Sequence, residues 1–243
     1  MGLKIINNYS PNFSLPKRQN KKIKFIIVHY TGMKKESLAI KRLCSKKSKV
    51  SAHYFIRQNG EILNLVPDLY EAWHAGKSNW KKYKSLNKNS IGIEIQNPGH
   101  KYRYRKFSIK QINSFKILLK KLVKLYKIDI NNILGHSDIA PERKEDPGEK
   151  FPWKNLAKFK LAKWHILNEI QIKKVRMIKL DKIEEKQFLK NLYKIGYNKV
   201  KNLKPNKNKK ILVLAFQRRF RQGLINGIID KECFLISKNL VKS

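Results

Sequence analysis

Residues Ile133 to Gly148 read I-L-G-H-S-D-I-A-P-E-R-K-E-D-P-G. This short stretch holds one histidine, several carboxylates, two cations and two prolines. The apolar pair Ile133-Leu134 reads as the end of a short buried strand, and Gly135 lets the backbone turn, which puts His136 at a strand end. Pro141 and Pro147 argue against a long helix. A loop held by prolines can aim His136 and Asp146 at one point although nine residues separate them. Neutral imidazole and carboxylate are both good zinc ligands. Two ligands do not make a site, so a further one has to come from elsewhere in the chain.

Upstream, Lys24–Thr31 (K-F-I-I-V-H-Y-T) is a continuous β-branched run and is predicted as a buried central strand. It carries His29 near its C-terminal end, where sites in open sheets tend to be built. Asn89–Asn97 alternates: Ile91, Ile93 and Ile95 face one way, Glu94 and Gln96 the other. Gly92 shares the face of Glu94 and is expected to leave open space beside that carboxylate. Ala52–Val66 reads as a hairpin around Gln58-Asn59-Gly60. Glu36–Ser48 is predicted as a short helix. Ser108–Tyr126 is the strongest helix: Ser108 with Gln111 forms a capping box, and its apolar residues recur at spacings of three and four. Trp153–Ile170 is predicted as a second helical stretch, and residues 171–180 as a linker. Three short helices follow at Ile183–Gly196, Lys210–Arg221 and Asp230–Leu240. Residues 1–22 are polar and irregular and are expected on the surface.

The formal net charge of +39 suggests a nucleic-acid binder at first sight. Lys, Asn and Ile are in excess together, however, and they share A/T-rich codons, so coding bias accounts for much of the charge. Charge speaks to partners and solubility rather than to fold. An anionic polymer or substrate remains a suitable partner; a specific nucleic acid does not stand out. Cys44 and Cys233 are far apart and form no C-x-x-C, so neither a zinc knuckle nor a redox motif is expected. No apolar run resembles a secretory signal or spans a membrane, which favours a soluble, cytoplasmic protein, with the envelope open if the start is misassigned.

His29, His136 and Asp146 together make a two-histidine, one-carboxylate set, which leaves a tetrahedral position for water. Zinc lowers the pKa of such a water to about 7 and polarises a carbonyl. Glu94 is the candidate to take the water proton, and Lys144 the candidate to stabilise the oxyanion. The reaction this set suits is metal-assisted hydrolysis of an amide. In Glu71–Gly76 (E-A-W-H-A-G), Trp73 and His74 either line a cleft and touch substrate or serve packing and capping. His53 is read as structural.

Taken together, I-V-H-Y-T at 27–31, S-A-H-Y-F-I at 51–56, A-W-H-A-G at 72–76, N-S-I-G-I-E at 89–94 and G-H-S-D-I-A-P-E-R-K-E-D-P-G at 135–148 resemble the type 2 N-acetylmuramoyl-L-alanine amidases, the zinc amidases related to peptidoglycan recognition proteins. The resemblance implies an α/β fold with a mixed central β-sheet flanked by helices. It implies Zn2+ at His29, His136 and Asp146, with Glu94 and Lys144 catalytic. It implies cleavage of the amide between (anhydro-)N-acetylmuramic acid and L-alanine in peptidoglycan fragments or wall polymer. Some relatives carry a tyrosine where this chain has Ala52, which puts more weight on Glu94. G-Y at 196–197, L-A-F-Q-R-R-F-R at 214–221 and G-I-I-D-K-E at 227–232 resemble, more loosely, a three-helix peptidoglycan-binding module. The expected division is a catalytic domain over 1–172 and a small three-helix domain over 180–243. The competing reading is a recognition module that binds muropeptide without cutting it, against which stands the full ligand set.

Overall fold

The computed structural model describes residues 4–200 and 203–242. Six strands form one mixed sheet: β1 (Ile5–Asn7), β2 (Phe25–Tyr30), β3 (Tyr54–Ile56), β4 (Ile62–Asn64), β5 (Ser90–Ile95) and β6 (Ile133–Gly135). Their spatial order is β1-β4-β3-β5-β2-β6. Only the β3–β4 hairpin is antiparallel; every other neighbouring pair runs parallel. β2 and β5 lie in the interior of this sheet, which is why both are runs of branched apolar residues.

Side chains alternate between the two faces. On one face Ile26, Val28, Ile91, Ile93 and Ile95 pack against Phe115, Leu118, Leu119 and Leu122 of helix α2 (Ile109–Tyr126); α1 is Glu36–Cys44. The capping box at the start of α2 is formed: Ser108 accepts from the Gln111 backbone N–H, and Gln111 accepts from the Ser108 N–H. On the other face Phe55 and Leu63 pack on Ala39 and Leu43 of α1. Phe25, Ile27 and Leu134 face the same way and meet the C-terminal helices. After the one-turn α3 (His136–Ile139), the helices are α4 (Trp153–Lys158), α5 (Glu169–Lys174), α6 (Lys182–Ile195), α7 (Pro205–Phe220) and α8 (Lys231–Lys242). Phe188, Leu192, Val213, Phe216, Cys233 and Ile236 from α6–α8 form one apolar cluster with Phe25, Ile27 and Leu134. The three C-terminal helices therefore share a core with the sheet.

Several details differ from the sequence-based expectation. Residues 5–7 are a strand, because Ile5 and Ile6 pair with Ile62 and Leu63 at an edge that would otherwise be bare. The stretch Trp153–Ile170 is helical only at its ends; Lys160 adopts a left-handed conformation (φ 56°), which a continuing helix does not allow. The expected linker at 171–180 is partly helix: Asn168 caps α5 by accepting from the Ile170 and Gln171 N–H groups, and Ile172 is buried. Helix α7 begins earlier than expected because Pro205 stands in its first turn, where a proline is tolerated. No helix among the described residues is long and apolar enough to cross a membrane.

Candidate metal centre and active site

The register of three parallel strands builds the site. Gly135 pairs with Val28, so His136 follows it into the row of His29, and His29 is itself opposite Glu94. All three lie at the carboxyl ends of β6, β2 and β5, the crevice where open sheets bind ligands. Asp146 reaches the same point from the loop after α3, whose path is fixed by a bond from the Ser137 N–H to the Asp146 carbonyl (2.8 Å).

His29 Nδ1, His136 Nδ1 and Asp146 Oδ2 form a triangle with sides of 2.9, 3.0 and 3.1 Å. All three residues are buried. Their hydrogen-bond partners assign the protons. Ser90 Oγ donates to the Leu86 carbonyl (2.6 Å), so it can only accept from His74 Nε2–H (3.1 Å). His74 Nδ1 is then a bare lone pair and accepts from His29 Nε2–H (3.0 Å), which leaves His29 Nδ1 unprotonated. His136 Nε2 faces the Ala75 carbonyl (3.1 Å), which directs its Nδ1 at the same point. Burial, with His136 beside it, pushes the His29 imidazole down to about 4. Burial alone would raise the Asp146 carboxyl, but the two histidines override it and hold it well below the usual carboxylate range. Three donor atoms thus converge on one point, and each imidazole is held there by a hydrogen bond from its other nitrogen. Two imidazoles and one carboxylate brought this close suit a cation, and zinc in particular.

Glu94 lines the same cleft, and its Oε2 is buried without a hydrogen-bond partner among the described residues. Burial first, and the Asp146 charge second, push this carboxyl up to about 8; Lys144 acts in the opposite sense. Lys144 is half-buried in the cleft wall. The cleft has a volume of about 810 Å³ and runs from the triad to α1.

Trp73 and His74 both line this cleft. The Trp73 indole donates to Ser14 Oγ (2.8 Å). Both His74 nitrogens are committed to His29 and Ser90, which makes this ring an orienting partner of a ligand; its spacing from His29 gave no hint of that. The space beside Glu94 is not open. A Cβ on Gly92 would lie 2.5 Å from His74 Nδ1, so the missing side chain is what admits the His74 ring. A glycine inside a strand signals such a close approach, and that signal was available in the sequence. Arg143, also unforeseen, donates to the Ala75 and Lys77 carbonyls and so steadies the acceptor of His136. His53 is structural: its Nδ1 accepts from the Gly92 N–H and its Nε2 contacts the Tyr70 carbonyl (both 3.0 Å).

A profile of the N-acetylmuramoyl-L-alanine amidase family matches residues 19–149, a span that contains the whole triad, Glu94 and Lys144. The chain belongs to this amidase family. The N-acetylmuramoyl-L-alanine amidase AmiD of Escherichia coli is 33% identical over 234 residues, covering 91% of this chain and 83% of AmiD. The 1,6-anhydro-N-acetylmuramyl-L-alanine amidase AmpD of Citrobacter freundii is 39% identical over 105 residues, 43% of this chain and 54% of AmpD. Among solved structures, Escherichia coli AmiD in complex with anhydro-N-acetylmuramic acid-L-Ala-D-gamma-Glu-L-Lys superposes with a TM-score of 0.80 at 32% identity, covering 91% of this amidase and 89% of AmiD. AMPDH3 from Pseudomonas aeruginosa in complex with anhydromuramic pentapeptide gives 0.79 at 28% identity, with 96% of each chain covered. The mixed sheet flanked by helices is therefore the fold of this family.

Proposed function

We propose that this amidase uses zinc to hydrolyse the amide joining (anhydro-)N-acetylmuramic acid to L-alanine of peptidoglycan stem peptides, in recycling or remodelling of the wall. The observation that carries the reading is the convergence of three ligand atoms, His29 Nδ1, His136 Nδ1 and Asp146 Oδ2, beside the buried, unpartnered carboxyl of Glu94. The muramyl peptides bound by the two superposed relatives support the substrate class.

His29, His136 and Asp146 hold the metal. A bound zinc supplies a Lewis acid and brings the pKa of a coordinated water to about 7. Glu94, which the positive charge of a loaded site and of Lys144 would favour in its ionised form, takes one proton from the attacking water as the water oxygen bonds to the carbonyl carbon. The Lys144 ammonium faces the carbonyl oxygen as that oxygen gains negative charge. Glu94 then returns that proton to the alanine nitrogen as the C–N bond breaks, and the lactyl acid passes its remaining proton to the released amine, so the products are a lactyl carboxylate and a stem peptide with a free ammonium terminus. Trp73, with the ring edge of His74, forms part of the wall against which the peptide lies. Residues 1–172 carry all of these groups, and 180–243 resemble a peptidoglycan-binding module.

The test is mass spectrometry of a defined anhydro-muramyl peptide incubated with purified protein. Free stem peptide is expected, lost on chelation and restored by zinc. Intact substrate in every tube with zinc verified as bound would favour a recognition module instead.

A further inference from the structure

A buried cluster that the mechanism does not use lies where α7 meets α3. Asp138, on the same helical turn as His136, accepts from the Gly135 N–H (2.7 Å) through Oδ2, and so fixes the corner that presents His136. Its other partners come from the C-terminal part of the chain: Tyr197 Oη, in the loop after α6, donates to Oδ1 (2.8 Å), and Arg219 Nη1, in α7, stands 3.4 Å from Oδ2. Arg219 also donates to the Ile133 carbonyl (3.0 Å), and its Cζ stands over the Trp153 ring, 3.4 Å from the centroid. Its neighbour Arg218 donates to Glu145 Oε1 (2.7 Å), between Lys144 and Asp146. Gln222, just beyond α7, donates to the Phe151 carbonyl (2.7 Å).

The α7 region therefore grips the segment from Ile133 to Trp153 on both sides of its metal ligands. Stability is a poor explanation for the central contact. Arg219 and Asp138 are 3% and 2% exposed at their side chains, and Arg219 Nε has no partner among the described residues. An imperfectly satisfied buried ion pair is often no better than apolar residues of the same volume. What such a pair does supply is a fixed geometry.

We propose that Arg219, assisted by Tyr197 and Arg218, is a positioning residue that holds His136 and Asp146 in ligand geometry, so that α6–α8 are a brace of the metal centre. The kinetic part of this inference rests on the amidase reading; the metal-binding part does not. In the full chain, Arg219→Met is expected to lower zinc affinity in chelator competition by about three- to ten-fold, less than the 10- to 100-fold loss on removing a direct partner of a ligand, because Arg219 acts through Asp138 and the Ile133 carbonyl. kcat at subsaturating zinc falls in parallel, KM for the anhydro-muramyl peptide stays within about two-fold, and Arg219→Lys recovers part of the loss. Tyr197→Phe, which removes one hydroxyl, is expected to shift zinc affinity in the same direction by a smaller factor. A lowered Tm with zinc affinity and kcat equal to the parent protein overturns the proposal. Should Arg219→Met not fold, Tyr197→Phe and Arg218→Met decide: unchanged zinc affinity in both overturns it. A parent protein that binds zinc but cleaves nothing defeats the amidase reading, and the zinc comparison still tests the brace.

Discussion

Gly92→Ala isolates the relay that orients His29. The backbone of Gly92 is not in the left-handed region, so alanine meets no dihedral penalty there. On backbone entropy alone the change should stabilise the fold by roughly 0.4–1 kcal/mol. The new methyl, however, would stand 2.5 Å from His74 Nδ1 and 2.6 Å from Cδ2, against the 3.4 Å at which ordinary contact begins. Ring atom Cγ would stand closer still, so about 1 Å of overlap has to be relieved, and the His74 ring, packed between Gly92 and His29, is what gives way. Overpacking of this kind costs about 1–3 kcal/mol, so the metal-free protein is expected to be less stable by up to about 2 kcal/mol. The larger effect is on metal. Displaced Nδ1 no longer accepts from His29 Nε2–H, and His29 is free to rotate or to protonate Nδ1 instead. Zinc affinity is expected to fall by about 10- to 100-fold, or about 1.4–2.7 kcal/mol. Chelator competition on the purified variant reads this directly, and a melt of the metal-free protein reads the packing cost. Parent-like zinc affinity in a variant with a normal melt would refute the relay.

Glu94→Gln is expected to keep zinc bound while kcat falls by about 10²–10⁴, the usual loss for a missing general base; a kcat within ten-fold of the parent removes Glu94 from that role. Lys144→Met is expected to lower kcat by about 10²–10³ with zinc retained, and unchanged steady-state kinetics would place the oxyanion elsewhere. Ser90→Ala leaves the His74 Nε2–H without its acceptor, at a cost of about 1–3 kcal/mol in a denaturant titration, together with weaker zinc binding. Two signs govern the pH dependence of the metal-free protein. Glu94 is raised to about 8 in the fold, above its unfolded value, so stability is lost as pH climbs toward 8. His29 and His53 are lowered to about 4 and about 3, so stability is also lost as pH drops below about 6.5. His74 and His165 are lowered as well, so the Glu94 contribution dominates only above the titration of the unfolded histidines: chemical denaturation between pH 7 and 8 should show falling stability without zinc, and a rise over that interval contradicts the burial of Glu94.

The parts of the fold legible in the sequence are those whose cause is local. The apolar spacing of α2 and its Ser108–Gln111 box are set within a few residues, as is the turn at Asn59-Gly60, where Gly60 adopts φ 91°. The edge strand Ile5–Asn7 escaped notice because its partner, β4, is far along the chain. The break in Trp153–Ile170 escaped because helical propensity says little about where a tertiary surface turns a chain back. At the site, His29, His136 and Asp146 were legible as types of ligand, and the structure brings all three together with Glu94.

By itself the sequence determined which groups can bind a metal and move a proton: imidazoles, carboxylates and an ammonium at strand ends and in a proline-held loop. The tertiary structure decided which nitrogen of each imidazole faces inward. That choice depends on acceptors such as Ser90 Oγ and the Ala75 carbonyl, which lie near the ligands only in space. It also decided that Tyr197 and Arg219, 59 and 81 residues from Asp138, close on the ligand loop. Hydrogen-bond direction is fixed by the partner actually within reach, and reach across a fold cannot be read from spacing along a chain.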